Sequence, residues 1–303
     1  MKLMLLLTIF ISFFCVYLIL PYWIKKAKQV GLVWKDMNKP KQPKNVAGST
    51  SALIEILALL VSILLISIIG LIDDIFGWQQ GGLSKRSRLI LVLLAAIPLM
   101  VINAGESTMM GINFGLIFPL LIIPIAILGA TTTFNFLAGY NGLEAGQGII
   151  ILSALALVTW LTGNSWLSVI ALCMVASLIA FYIFNKYPAK VFPGDIMTYS
   201  IGALIAVIAI LGNIEKIAVL FFIPYIIETG LKLRGRLKKE SFAKVNKDGS
   251  LEMPYEKIYG LEHLAIKILK KIKPNKKVYE KEVVFLIHGF QVLVVLLAFL
   301  TII

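Results

Sequence analysis

Polar segments that could bind an ion or move a phosphate interrupt an otherwise apolar sequence. They are Asp73-Asp74, the stretch 135–147 with Asn135, Asn141 and Glu144, then Asp195 and, in a later apolar run, Glu228. Unpaired polar groups in hydrocarbon cost several kcal/mol each, so these segments need water, a polar cleft or partners. We therefore expect the 135–147 stretch to form the floor of a site at a membrane surface.

The side chains in these segments favour a hard divalent cation. Carboxylate and amide oxygens suit Mg²⁺, with Mn²⁺ as the alternative, whereas Zn²⁺ takes Cys and His ligands. Cys15 and Cys173 both lie inside apolar runs, away from the acidic segments. A lone pair of aspartates is equally well explained by helix capping or by nearby arginines. Three such clusters on one face favour convergence on a single cation.

Composition indicates a membrane protein rather than a soluble one. The chain has 303 residues, is 59% hydrophobic and has a mean hydropathy of +0.91, against ~45–50% apolar residues in soluble domains. The net charge is +13, but the lysines and arginines lie in loops beside apolar runs, where the positive-inside rule explains them. We therefore expect no nucleic-acid partner and a single integral membrane domain over residues 1–303.

The apolar runs predict an all-α polytopic membrane protein, a helical bundle of about 9–10 transmembrane segments at ~20 residues per crossing. The runs are Leu3–Ile24, Gly48–Ile72, Leu89–Asn103, Ile112–Thr133, Ile149–Leu161, Trp166–Phe184, 195–211, Ile217–Leu233 and Val283–Ile303. Loop charges place the polar segments on the cytoplasmic side. The second run has cytoplasmic-type charges at both ends, so it is either a hairpin or a single crossing whose partner span is missing.

The loop 234–281 reads as a cytoplasmic insertion before the last span. Residues 242–253 predict a hairpin around Lys247-Asp248-Gly249, and residues 258–272 predict an amphipathic helix on the membrane. The basic cluster at its start is either a positive flank of a span or a clamp for a phosphate. Of the two histidines, His263 could reach the site, while His288 on the last span is expected to be a packing residue.

Four motifs occur in an order that resembles a known family over nearly the whole chain. They are Gly70-Leu71-Ile72-Asp73-Asp74, the 134–147 stretch, Phe192-Pro193-Gly194-Asp195 and Leu251-Glu252-Met253-Pro254-Tyr255. The family is that of the polyprenyl-phosphate N-acetylhexosamine-1-phosphate transferases, most closely its dolichyl-phosphate branch.

The resemblance implies a ten-span fold with its active site on the cytoplasmic face. It implies transfer of N-acetylglucosamine-1-phosphate from UDP-N-acetylglucosamine (UDP-GlcNAc) to a polyprenyl, dolichyl-type phosphate, with release of UMP. This would be the first lipid-linked step of glycan assembly, such as N-glycosylation. Mg²⁺ is the implied cofactor, the partners are the two substrates and membrane lipid, and a homodimer is left open.

The resemblance also implies roles for individual residues. The catalytic set is Asp73, Asp74, Asn135 and Asp195, of which Asn135 and Asp195 bind Mg²⁺. The implied substrate-binding residues are Lys35, Asp36 and Met37 on the nucleotide side, Lys85 or Arg88 in the place of a lysine, Asn141, Gly142 and Glu144 around the uridine, and Arg234 and Arg236 at the sugar-phosphate end. The chain departs from the family pattern at Thr132 and Lys44, where other members have asparagine and glutamate.

Rival functions make different demands on the sequence. A transporter with intramembrane carboxylates would place polar residues near the bilayer midplane and show an internal repeat, and neither is evident here. Within the enzyme class, another UDP-N-acetylhexosamine or undecaprenyl phosphate would serve equally well as substrate. An inactive scaffold has no use for the chemistry of residues 135–147.

Overall fold

The computed structural model describes residues 2–29, 33–35, 45–48, 61–80, 82–101, 107–109 and 112–301. The helices in these ranges are α1 (Lys2–Gln29), α2 (Val61–Gln80), α3 (Lys85–Ala95), α4 (Ile97–Val101), a π-helical turn (Phe118–Ile122), α5 (Ile123–Phe134), α6 (Leu143–Leu161), α7 (Ser165–Asn185), α8 (Asp195–Gly212), α9 (Glu215–Phe221), α10 (Ile223–Arg234), α11 (Leu261–Ile272) and α12 (Glu280–Phe299). The strands are short: β1 (Val33–Lys35), β2 (Asn45–Gly48), β3 (Thr108–Met109), β4 (Ile112–Asn113), β5 (Val191–Phe192), β6 (Lys244–Val245) and β7 (Leu251–Glu252).

The predicted fold class is confirmed: the chain is an all-α polytopic membrane protein. Among the described residues, helices α6, α7, α8 and α12 are long and apolar enough to cross a bilayer. Apolar runs of this length form helices because every backbone group must find its partner within the segment in lipid. The predicted total of 9–10 spans remains a prediction.

Helix α8 is the central element of the bundle. It contacts α2, α5, α6, α7 and α9, and almost all of its side chains are buried. Small residues let α2 approach it closely: a Cβ on Gly70 would lie 2.6 Å from the backbone N and Cα of Ile196. The hydroxyls of Ser67 and Ser200 are hydrogen-bonded at 2.7 Å in the same contact. The two helices run antiparallel, so the start of α8 meets the later part of α2.

The polar segments lie at the end of the bundle at which α8 begins. The three-stranded sheet β1-β2-β5 reaches this end, because Gly48 pairs in parallel with Phe192, three residues before Asp195. The antiparallel packing of α2 on α8 puts Val61 toward the opposite end. Gly48 and Asp74 therefore lie at the same end of the bundle and Val61 lies toward the other, which agrees with the similar charges at the two ends of the second apolar run. The route of residues 49–60 lies outside the described residues.

Two predicted boundaries are wrong. The helix formed by the second apolar run does not end at Ile72, because α2 continues through Asp73-Asp74 to Gln80. The helix predicted to begin at about Ile149 begins at Leu143 instead, and its first turns are buried. Packing explains the second result: a Cβ on Gly146 would lie 2.3 Å from the His288 ring. The glycine thus provides the space that this histidine occupies, and His288 is the packing residue expected.

The predicted loop insertion contains both of its expected elements. Strands β6 and β7 pair antiparallel across residues 246–250, and α11 forms the amphipathic helix. Helix α11 buries one face, including Glu262 and His263, against the bundle. Its contacts are with α10 and α12.

Candidate active site

An ion pair between α2 and α3 forms one side of the site. The Nε of Arg88 lies 2.7 Å from Oδ2 of Asp73, whose side chain is only 2% exposed. The other oxygen of Asp73 accepts the backbone N–H of Leu83 at 2.7 Å. A guanidinium held in this way is a fixed positive charge, because its position is determined by a buried carboxylate.

Asp74 performs a different task, although it is the next residue in the chain. Its two carboxylate oxygens accept the backbone N–H groups of Asp195 and Ile196, at 2.8 and 3.1 Å. The first N–H groups of a helix have no partner within the helix, and an anion there also interacts favourably with the helix dipole. Asp74 therefore caps α8 and fixes the position of Asp195.

This capping role predicts the effect of Asp74→Ala. Removing both acceptors should lower the free energy of unfolding by about 1–2 kcal/mol, the usual value of a lost helix cap. Thermal unfolding of the purified protein in detergent measures the change. Asp74→Asn keeps one acceptor oxygen and should lose less stability. Equal stability of wild type and Asp74→Ala would contradict the role.

Asn135 and Asp195 meet at the centre of the site. The carboxamide of Asn135 donates to Oδ1 of Asp195 at 3.1 Å and accepts the hydroxyl of Thr198 at 3.0 Å. Oδ2 of Asp195 lies 3.7 Å from a guanidinium nitrogen of Arg88. Residues from three distant parts of the chain are therefore in contact or nearly so, while the cation that they were expected to share remains a prediction.

A pocket of about 390 Å³ opens beside this cluster. Its wall combines residues of α3, of the end of α5 and the turn after it, of α8, and of the end of α10 and the segment after it. The lining residues are Lys85, Arg88, Leu89, Val92, Thr132, Asn135, Phe136, Ala138, Tyr199, Lys232, Leu237, Lys239, Glu240, Ser241 and Phe242. Four are cationic and one is acidic, so the pocket suits an anion with more than one negative charge.

The uridine-side residues named from the family resemblance lie outside this pocket. The side-chain oxygen of Asn141 accepts the N–H of Ala189 at 2.8 Å, and Oε1 of Glu144 accepts the N–H of Gly139 at 2.7 Å. Gly142 has a φ of +83°, and a Cβ there would lie 2.9 Å from the Tyr182 ring. These contacts order the turn before α6. A role in nucleotide binding remains a prediction.

Other predicted residues are placed less directly. Arg234 and Arg236 are exposed and do not line the pocket; Lys232 and Lys239 from the same part of the chain do. Lys35 ends strand β1, while Asp36 and Met37 lie outside the described residues.

Sequence reasoning did not single out Lys232 or Tyr199 as site residues. Lys232 stands four residues after Glu228 on one helix, a spacing that places the two side chains on the same face. Tyr199 stands four residues after Asp195, and its hydroxyl accepts a hydrogen bond from Arg88 at 3.5 Å. The i, i+4 spacing was the signal available in both cases.

Behind the pocket wall lies the buried start of α11. Burial, with the charge of Lys232 nearby, lowers the pKa of His263 to about 4. Burial, with the charge of Glu228 nearby, raises the pKa of Glu262 well above its usual value. We therefore expect the His263 ring to be uncharged at neutral pH. His263 does not line the pocket.

The donor atoms available for a metal ion are few but of the right kind. Asp195 is 25% exposed in its side chain, and Asn135 lines the pocket beside it. Within the described residues, no group of three or more His, Cys, Asp or Glu side chains is placed to hold a metal. Mg²⁺ is usually held by one or two carboxylates together with waters and substrate phosphates. The donor set therefore fits a Mg²⁺ ion whose coordination is completed by substrate.

Comparison with known proteins gives a consistent result across the chain. The model of glycosyl transferase family 4 matches residues 56–213, which include α2, α5 and α8. A Saccharolobus solfataricus protein provisionally named UDP-N-acetylglucosamine–dolichyl-phosphate N-acetylglucosaminephosphotransferase is 39% identical over 97% of this chain and 95% of its own. A Sulfolobus acidocaldarius protein with the same provisional name is 33% identical over 94% and 92%. The phospho-N-acetylmuramoyl-pentapeptide-transferase of Halalkalibacterium halodurans is 28% identical over 74% and 80%.

Proposed function

The chain belongs to glycosyl transferase family 4 and is a membrane-embedded glycosyl-1-phosphate transferase, and we propose that it transfers N-acetylglucosamine-1-phosphate from UDP-GlcNAc to a dolichyl-type polyprenyl phosphate. The names of the two archaeal relatives support both substrates, since each names UDP-N-acetylglucosamine and dolichyl phosphate. Transfer of the sugar with one phosphate leaves UMP as the second product. The active site faces the cytoplasm in this proposal, because the lysine-rich loops flank it.

The observation that carries the proposal is the pocket where Arg88, Asn135 and the segment after α10 meet. Cations line it together with the apolar side chains of Leu89, Val92 and Leu237. Leu89 and Leu237 are 40% and 41% exposed, so the pocket is continuous with apolar outer surface. A ligand with a phosphate head and a hydrocarbon chain matches this combination.

The reaction requires two anionic substrates to approach each other, and residues of the protein lower the electrostatic repulsion between them. The second pKa of a phosphate monoester is ~6, so the acceptor is largely dianionic at neutral pH and needs little help from a general base. Arg88, held by Asp73, supplies a fixed positive charge for the phosphates. Asn135 orients Asp195 through their hydrogen bond. Positioning and electrostatic stabilisation are the main sources of catalysis in phosphoryl transfer.

Asp195 and Asn135 are the residues proposed to hold Mg²⁺. When bound, the ion would screen the repulsion between the two substrates and stabilise the phosphate that leaves with uridine. Asp73 and Asp74 act in this scheme through Arg88 and through the start of α8. Neither is required as a nucleophile.

Metal removal provides a test of the whole proposal. The purified protein in detergent is incubated with UDP-GlcNAc labelled in the sugar, Mg²⁺ and dolichyl phosphate, and lipid-linked label and UMP are measured. We expect equal amounts of both products, loss of both with excess EDTA, and recovery on adding Mg²⁺ back. Recovery with Mn²⁺ alone would replace Mg²⁺ by that ion.

Parallel reactions separate this function from its alternatives. Undecaprenyl phosphate replaces the acceptor in one reaction and UDP-N-acetylgalactosamine the donor in another, so the preferred pair is identified by rate. A transporter would instead accumulate substrate inside sealed vesicles without producing UMP. The proposal would be overturned if no donor and acceptor pair gave lipid-linked product while a cooperative thermal unfolding transition showed that the protein was folded.

A further inference from the structure

Lys232 is a mostly buried cation that reaches the pocket, whereas Arg234, at the end of the same helix, does not. It lies on α10, its side chain is only 11% exposed, and it lines the pocket together with Ser241. Its Nζ contacts the Ser241 hydroxyl and lies 3.5 Å from Oε1 of Glu228. A lysine in this position loses much of its hydration, so it must have a purpose beyond solubility.

Glu228 fixes the position of the Lys232 ammonium without occupying all three of its N–H donors. The distance of 3.5 Å is long for a charge-assisted hydrogen bond, which is usually about 2.7–2.9 Å. The other carboxylate oxygen of Glu228 is occupied by the N–H of Leu261 at 2.6 Å. Lysine has three N–H donors, so at least one remains for a ligand in the pocket.

The pocket wall does not depend on Lys232 alone. The carbonyl of Ser241 accepts a hydrogen bond from Tyr140 at 3.4 Å. The ring of Phe242, the next residue, packs against Gly139, where a Cβ would lie 2.8 Å from it. The wall is therefore held from the turn before α6, and Lys232 can exchange its contact with Ser241 for a ligand while the wall stays in place.

The charges around the pocket explain why an anion would attract this lysine. Of the four cations that line the pocket, Arg88 is already paired with Asp73. Lys232 lies beside Glu228, which is completely buried. Lys85 and Lys239 are exposed to solvent, so without Lys232 a bound phosphate would have Arg88 as its only partly buried cation in the pocket, at a cost in uncompensated negative charge. A second fixed cation on another wall removes that cost.

We propose that Lys232 is a substrate-binding residue whose ammonium group leaves the Ser241 hydroxyl to bind phosphate oxygens in the pocket. The proposal rests on the transferase function proposed above. The shared chemistry of its ligand is a terminal phosphate or diphosphate, which could belong to the lipid acceptor or to the nucleotide-sugar donor.

Kinetics with four variants distinguish ligand binding from a structural tie. Lys232→Met alone would leave Glu228 buried without a counter-ion, so the double variant Lys232→Met/Glu228→Gln removes both charges together. We expect it to raise KM for one substrate about 10- to 100-fold, the effect of losing one hydrogen bond to a charged group, with kcat within a few-fold of wild type. Lys232→Arg should restore most of that loss.

Two further variants serve as controls. Ser241→Ala removes the contact but keeps the ammonium, so it should change KM far less than the double variant does. Lys238→Gln removes an exposed charge of the same segment outside the pocket and should leave both constants unchanged. Equal effects of Ser241→Ala and the double variant, a fall in kcat alone, or no change would each overturn the proposal. The substrate whose KM rises identifies the phosphate that is bound.

A binding measurement separates failure of this proposal from failure of the transferase function. Farnesyl phosphate and inorganic pyrophosphate are added separately to the full chain in detergent, and the rise in unfolding temperature is followed. We expect at least one of them to stabilise wild type and Ser241→Ala. The double variant should need about a 10-fold higher concentration of that ligand for the same rise in unfolding temperature. If wild type lacks transferase activity but this difference is present, the proposed function fails and the Lys232 site stands. Equal stabilisation of all three proteins, or of none, overturns the Lys232 site.

Discussion

Asp195→Asn is expected to lower the rate of sugar-1-phosphate transfer by about 10³-fold, the loss typical of removing a main electrostatic group from a site. The substitution keeps the size of the side chain and removes its charge. Asp195 is the carboxylate that adjoins both Asn135 and Arg88, at 3.1 and 3.7 Å. The same residue is the only proposed charged ligand of the metal ion.

The rate is measured as labelled lipid product at saturating UDP-GlcNAc, dolichyl phosphate and Mg²⁺. Thermal unfolding should remain close to wild type, because Asp74 caps the same backbone groups in both proteins. Asn135→Ala should reduce the rate in the same direction. Asp248→Asn is the matched control, since that aspartate lies on the β6–β7 loop in an ion pair with Lys277. A wild-type rate for Asp195→Asn would remove the assignment of this residue.

Gly70→Ala should impair both stability and activity, although residue 70 does not line the pocket. The new Cβ would lie 2.6 Å from backbone atoms of Ile196, and backbone cannot rotate away as a side chain can. Helix α2 would have to move away from α8, at a cost of about 1–3 kcal/mol in the free energy of unfolding, as for other overpacked cores. Asp73 and Asp74 move with α2, and misplacement by about 1 Å can cost roughly 10²-fold in rate.

Two other glycines are suitable controls for this variant. Gly129 and Gly289 also lie in helices, on α5 and α12, but a Cβ on either would meet no atom within 4 Å. Alanine there should be neutral or stabilising by about 0.5–1 kcal/mol, because glycine in a helix costs about that much relative to alanine. Thermal unfolding and the labelled-product assay are run on all three variants. Unchanged stability and rate for Gly70→Ala would contradict the close contact of α2 and α8.

Much of the site could be predicted because its residues have no other reason to be where they are. Asp73, Asn135 and Asp195 interrupt apolar runs, and a polar group in such a run needs a partner or water. Loop charges placed all three on one side of the membrane, and the structure brings them together at one end of the bundle. The β6–β7 hairpin and helix α11 were predictable for a similar reason, since their turn residues and periodicity are local signals.

The predictions that failed concern which partner each polar group finds. Glu144 and Gly146 were expected in the floor of the site, but they lie in the first turn of α6, where Glu144 accepts a backbone N–H and Gly146 accommodates His288. Arg234 and Arg236 were predicted to bind substrate because of their charge, but they are exposed outside the pocket that Lys232 lines. A sequence window shows the charge of a residue and does not show what covers it.

The amino-acid sequence by itself determined that this protein is an α-helical membrane protein and a member of a sugar-phosphate transferase family. It also singled out Asp195 and Asn135 as candidate site residues. Hydrophobic runs and polar interruptions are properties of the chain alone, since lipid selects for them whatever their neighbours are. Only the tertiary structure decided that Asp74 caps α8, that Asp73 fixes Arg88, and that Lys232 enters the pocket. The first two tasks depend on contacts across 121 and 15 positions of sequence, and the pocket that Lys232 enters exists only after the helices have packed.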